Sequence, residues 1–199
     1  MCKLLFVAAL ALLFGLAQPL PAQVVAGDAY LVHPIIAVPP QACISQAVSL
    51  INTGQVGSPI DAPTNHGTVC ADIYVFDANQ EMLECCSCPI TANGLAGNNL
   101  CNLTANSLTG VPVFSGLLKI VADNPGGATC DPTAINAPVN SALRGWRESF
   151  NLATGDIISE SSFQAAPLTV QEQQFLGQAC AFVRYLGSGR GRCLCPSQT

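Results

Sequence analysis

The side chains with the most obvious chemistry in this sequence are sulfurs. The stretch EMLECCSCPIT (81–91) carries Cys85, Cys86 and Cys88, and Cys193 and Cys195 follow late in the chain. Cys43, Cys70, Cys101, Cys130 and Cys180 complete the set beyond Cys2. Such sulfurs can make a redox centre, a metal knot or a framework of disulfides. Cys85-x-x-Cys88 has the spacing of a thioredoxin-like motif. That chemistry needs a thiolate favoured at a helix N-terminus, and here Pro89 and strand-like residues follow instead. A zinc site could use Cys85, Cys88, Cys193 and Cys195 as tetrahedral thiolates, but C-x-C is the wrong spacing for the second half of a paired C-x2-C site. The remaining reading is disulfides, and all ten cysteines are candidates. No cofactor and no metal ligand is assigned.

Other reactive types are sparse. His33 lies in a Pro-rich stretch and His66 in a Gly/Asn loop, neither beside an evident nucleophile, and no G-x-S-x-G elbow occurs. GSGRG (187–191) lacks the preceding strand and following Lys-Ser/Thr of a phosphate loop. Asp77, Asn79 and Glu81 imitate the start of a calcium loop without its Gly and closing Glu, so they read as a hairpin turn. Asp72, Glu84, Glu148 and Glu160 could serve a glycosidase if a cleft paired them, but nothing in the sequence does so. Asn102 opens an N-L-T sequon that matters only in a eukaryotic source. No catalytic residue is assigned.

The compartment follows from the first residues. MCKLLFVAALALLFGLAQPLPAQ has one charge, Lys3, then an apolar run from Leu4 to Leu16 and small residues. This is the pattern of a secretory signal peptide over 1–22, with cleavage expected after Ala22 or, less favourably, Ala26. The run is shorter than the ~20 residues of a membrane span, and no second one occurs, so no transmembrane span is expected after cleavage. Cys2 leaves with the leader, and an even number of cysteines in an exported chain reads as a disulfide framework. Roughly 175 residues remain, enough for one domain with its own core.

Only 10% of the residues are charged, against about a quarter ordinarily. Lys119 is the one lysine past the leader, and the five arginines all lie between Arg144 and Arg192. The mature chain is acidic, which excludes nucleic acid as a natural partner.

Residues 23–42, apolar and interrupted by Pro34, Pro39 and Pro40, form an extended arm that cannot be helical and is a poor central strand. The arm lies along its own domain or, through residues 24–38, adds to a neighbour's sheet by self-association. The disulfide-rich domain spans 43–199. AVSLIN (47–52), TVCADIYVFD (68–77), EMLECCSCPIT and VPVFSGLLKIVA (111–122) read as strands, and 92–110 as an Asn/Gly-rich loop. LRGWRESFNL (143–152) and DIISESSFQAAP (156–167) read as a second hairpin around Ala153-Thr154-Gly155. One helix is expected over about 169–186, opened by the Thr169-x-x-Glu172 capping box and closed at Gly187. Its apolar stripe runs through Phe175, Ala179, Phe182, Val183 and Leu186. The expected architecture is mostly β: an antiparallel β-sandwich-like domain, stapled by disulfides, with one C-terminal α-helix packed on it.

Alternation along a strand puts Cys86 and Cys88 on one face and Cys85 on the other. Counting back across the hairpin brings Cys70 opposite residues 86 to 88, within reach of one of them, while Cys85 must find a partner in another layer. Cys180, with Leu176 and Val183 a turn away, is expected to bond Cys193 or Cys195 after the Gly-rich reversal.

The stretch CADIYVFDANQEMLECCSCPITANGL resembles an uncharacterised group of secreted, cysteine-rich bacterial proteins that share ECCSCP. The ending LTVQEQQFLGQACAFVRYLGSGRGRCLC (168–195) is similar to theirs, though here it closes C-x-C and not C-x-x-C. The resemblance implies bacterial export and a disulfide-bonded domain. It brings no activity, ligand or catalytic residue. The expected role is a non-catalytic structural or binding domain, secreted or at the cell surface. Alternatives are a subunit of an extracellular assembly using the arm, and a secreted hydrolase with an unrecognised carboxylate site.

Overall fold

The computed structural model describes residues 23–25, 27–36, 45–55, 67–99, 115–125, 129–185, 193 and 195. The leader and its cleavage sites, Cys43, Cys101, His66, Asn102 and the 187–191 turn lie outside the described residues.

Among the described residues, eleven strands and one helix follow in order: β1 (Val24–Val25), β2 (Ala29–Ile36), β3 (Gln46–Asn52), β4 (Val69–Asp77), β5 (Met82–Ile90), β6 (Leu95–Asn99), β7 (Ser115–Asp123), β8 (Leu143–Phe150), β9 (Ile157–Ser162), β10 (Gln164–Ala165), β11 (Leu168–Thr169) and α1 (Val170–Tyr185). A five-stranded sheet runs β10-β2-β7-β4-β5 and a four-stranded sheet β6-β3-β8-β9, with β1 and β11 as a small pair. All registered pairs are antiparallel.

The sheets are held face to face by period-2 alternation. Val69, Ala71, Ile73 and Val75 of β4, with Leu118, Ile120 and Ala122 of β7, share one core with Val48 and Leu50 of β3, Ala96 of β6 and Leu143 of β8. The other face of β4 and β7 is also covered: Tyr74, Phe76 and Val121 pack with Leu168, Leu176 and Cys180. The five-stranded sheet is therefore a middle layer between the second sheet and α1, so β4 reads as a nearly unbroken apolar run. This is the expected stapled sandwich with a helix on it.

Asp28 ties the layers at one corner. Its carboxylate accepts the backbone N–H groups of Ser141 (3.0 Å), Ala142 (2.8 Å) and Leu143 (2.9 Å), and the Tyr30 hydroxyl donates to the Leu143 carbonyl at 2.7 Å.

Several expectations change. Within the arm, Ala29–Ile36 is extended and built into its own sheet, where β2 is an internal strand between β10 and β7. The Pro34 penalty is absorbed because the β2–β7 ladder is irregular between Val32 and Ile35, the interval that contains it. Loop 92–110 contains β6, which pairs with β3 despite its glycine and asparagines. On α1 the buried side is Leu176, Cys180 and Val183, while Phe175 (53%) and Phe182 (64%) are exposed. Gly177 faces the domain, with Thr133 O at 2.7 Å from where a Cβ would stand, so the helix seats on its small side. Thr169 Oγ1 accepts the Glu172 N–H at 3.1 Å as the cap requires, but the Glu172 carboxylate turns to Lys119 Nζ at 2.8 Å.

Candidate functional site

The β4–β5 hairpin decides where the sulfurs go. Its turn is built by Asp77, whose Oδ1 accepts the N–H groups of Asn79 (2.8 Å) and Glu81 (2.9 Å). Phe76 then stands opposite Met82, but Val75 stands opposite Glu84, so one extra residue enters β5. Without that bulge the first register would set Cys70 opposite Cys88. With it Cys70 faces Pro89, while Cys86 and Cys88 face Ile73 and Ala71. A one-residue slip turns a side chain to the other face of the sheet. Cys70 therefore cannot meet Cys86 or Cys88, and it bonds Cys130 on the helix side.

The expected bond from Cys180 to the tail is also replaced. Cys180 bonds Cys85, the one β5 sulfur on the helix side of the sheet. Cys86 and Cys88, on the opposite face, bond Cys193 and Cys195. The hairpin is thus joined to three distant parts of the chain: the 130 loop through Cys70, α1 through Cys85, and the tail through Cys86 and Cys88. The four-cysteine zinc set read from sequence does not assemble, because Cys85 lies across the sheet from Cys88. The cluster that does form is Cys86, Cys88 and Cys195, whose sulfurs lie within 4.8 Å of one another, with Cys193 bonded to the first. The signal for this in the sequence was the pair of C-x-C spacings, each of which presents two sulfurs on one face of an extended chain.

The four acidic strand residues separate into two kinds. Asp72 is fully buried; Ser87 Oγ donates to its Oδ1, while Oδ2 has no hydrogen-bond partner among the described residues. Burial drives its carboxyl well above the usual range. Glu84 is buried on the sandwich side, its Oε1 likewise without a hydrogen-bond partner, and desolvation pushes it up to about 8. Glu148 and Glu160 are directly opposite on β8 and β9. Trp146 Nε1 donates to Glu148 Oε1, and Ser49 Oγ donates to Oε2 at 3.5 Å. Asp123, a carboxylate not singled out from sequence, accepts the N–H groups of Asn136 (3.1 Å) and Ala137 (2.7 Å) and fixes the loop after β7.

Two clefts among the described residues are not lined by these acids. One of about 260 Å3, where β9 passes into β10, is lined by Leu31, Val32, Arg147, Ser161, Ser162, Phe163 and Gln164. A smaller one of about 120 Å3 is lined by residues of the 27–30 and 165–167 segments, Asp28 among them. No helix among the described residues is long and apolar enough to cross a membrane. No protein-family model, curated protein or solved structure matches the chain.

Proposed function

We propose that this chain is an exported, non-catalytic structural or binding domain that works at or outside the cell surface. The observation that carries the reading is the set of four disulfides joining β4 to the 130 loop, β5 to α1, and β5 twice to the tail. Such bonds suit an oxidising setting, outside the cytoplasm, and agree with the signal-like leader. The resemblance to secreted bacterial proteins sharing ECCSCP supports the same compartment. A domain spending its sulfurs this way keeps its shape where no chaperone acts.

The hydrolase alternative draws on one observation, the Glu148–Glu160 pair, but that pair lines neither of the two clefts. Assembly through the arm would require Ala29–Ile36 to leave β7. The test is the thiol count of the exported protein. Mass spectrometry without reduction should find ten hydrogens fewer than the fully reduced mature chain. Alkylatable thiols in the native protein, or retention in the cytoplasm, would overturn the reading.

A further inference from the structure

The two tail disulfides are neighbours. Cys86 Sγ and Cys88 Sγ are 3.8 Å apart on one face of β5, and Cys86, Cys88 and Cys195 lie mutually within 4.8 Å. Around a tetrahedral zinc with Zn–S bonds of ~2.3 Å, sulfurs stand about 3.8 Å apart. The β5 pair already has that spacing. Separating each bonded pair from ~2.0 Å to ~3.8 Å asks for about 2 Å of movement at Cys193 and Cys195, and Cys193, which stands outside the three-sulfur cluster, must also draw in toward Cys88 and Cys195. Cys86, Cys88 and Cys193 are buried, which shields a bound ion, and Cys195 is exposed, which gives reagents and metal an entry. Cys195 Sγ also lies 3.4 Å from the Ser87 carbonyl oxygen, so the tail is seated against β5 at this point.

We propose that, once its two disulfides are reduced, the Cys86–Cys88–Cys193–Cys195 set is a four-thiolate site for a soft tetrahedral cation of the zinc type. Each disulfide takes two electrons and two protons from a dithiol, which leaves as its own disulfide. Metal binding then displaces the thiol protons as the thiolates coordinate. The oxidised protein has the sulfurs tied to one another and takes no metal. The tail is thus latched in either state, by sulfur–sulfur bonds or through the ion. This goes beyond the proposed role as an exported domain and does not depend on it.

The test uses the full mature chain, reduced anaerobically with a water-soluble phosphine that ends as the phosphine oxide, and titrated with Co2+ and then Zn2+. The expected result is one equivalent of Co2+ with the intense visible bands and thiolate charge transfer of a tetrahedral site, displaced by Zn2+, and none in the oxidised chain. Cys88→Ser/Cys195→Ser should weaken binding by more than the ~10–100-fold that loss of a supporting residue costs. Cys70→Ser/Cys130→Ser and Cys85→Ser/Cys180→Ser serve as controls, and whichever folds by circular dichroism should bind unchanged. An unaltered octahedral Co2+ spectrum, binding that survives in Cys88→Ser/Cys195→Ser, or a reduced chain that is unfolded and stays so with metal would overturn the proposal.

Discussion

Glu84 is the residue whose burial has the plainest solution consequence. Its carboxyl titrates near 8 in the fold, against an ordinary value of 4.5, because desolvation disfavours the charged form. The folded state therefore holds its proton more tightly than the unfolded chain. The stability this contributes is complete below about pH 4.5 and is lost as pH rises through 8. The loss over that window is on the order of 5 kcal/mol, at 1.36 kcal/mol per unit. Asp72 and Asp123 are shifted in the same direction, also by burial, and add to the slope. Urea midpoints measured from pH 4 to 9 should fall with pH in the wild type. They should fall distinctly less in Glu84→Gln, which should be the more stable protein at pH 9. Equal slopes in the two proteins would show that Glu84 does not carry the effect. Asp28 contributes through hydrogen bonds: its carboxylate accepts three backbone N–H groups across the sheets. Asp28→Ala should cost about 3 kcal/mol by leaving those donors unsatisfied, read as a lower midpoint with unchanged slope.

At the scale of elements, α1 is tied to the middle sheet by one disulfide and by an ion pair in which Lys119 is buried and Glu172 is partly exposed. Replacing Cys180 by Ser should free the Cys85 thiol, not a tail thiol, because Cys180 bonds Cys85 across the helix–sheet layer. The bond spans 95 residues of sequence, and its loss should lower stability by about 2–5 kcal/mol. Peptide mapping of the variant should still find Cys193 and Cys195 joined to Cys86 and Cys88. Lys119 is 4% exposed, with its ammonium on the Ala166 carbonyl (3.0 Å) and on Glu172. Removing Glu172 leaves the buried ammonium with the Ala166 carbonyl, and because Glu172 itself is partly exposed, Glu172→Ala should destabilise by about 1–2 kcal/mol, between the exposed and the buried case. Lys119→Met/Glu172→Leu should recover much of that loss in the same thermal or urea measurement.

For the whole molecule, the tail pair sets how Cys193 and Cys195 are joined to β5 in the middle of the chain. Cys86–Cys193 and Cys88–Cys195 each span 107 residues and close nearly the same loop. Once one is present, the other removes little further entropy from the unfolded chain. Cys88→Ser/Cys195→Ser should therefore cost less than about 1 kcal/mol, whereas replacing all four cysteines should cost about 4–5 kcal/mol, the chain-entropy value for a loop near 100 residues. Strict additivity in this cycle would mean that each bond contributes through native packing instead.

The sequence by itself determined the materials: cysteines to pair, β-branched runs at strand spacing, and one capped helix. These are local signals, carried by residue type and period, and the sandwich with its packed helix followed from them. It also determined that Cys85 must part from Cys86 and Cys88, because neighbours on a strand face opposite ways. What it left open is what depends on register and on layers. A single extra residue in β5 turned Cys70 away from Cys86 and Cys88, and a count along the chain carries no mark of that bulge. Phe175 and Phe182 belong to an apolar stripe by period alone, but the contact is made by the Gly177–Cys180 side, which seats closer to the 131–135 loop. Pro34 argued against an internal strand until an irregularity in the ladder accommodated it. The burial of Asp72 and Glu84 and the meeting of two C-x-C segments depend on residues far apart in sequence. Only the packing of the layers brings such residues together, so tertiary structure alone decided them.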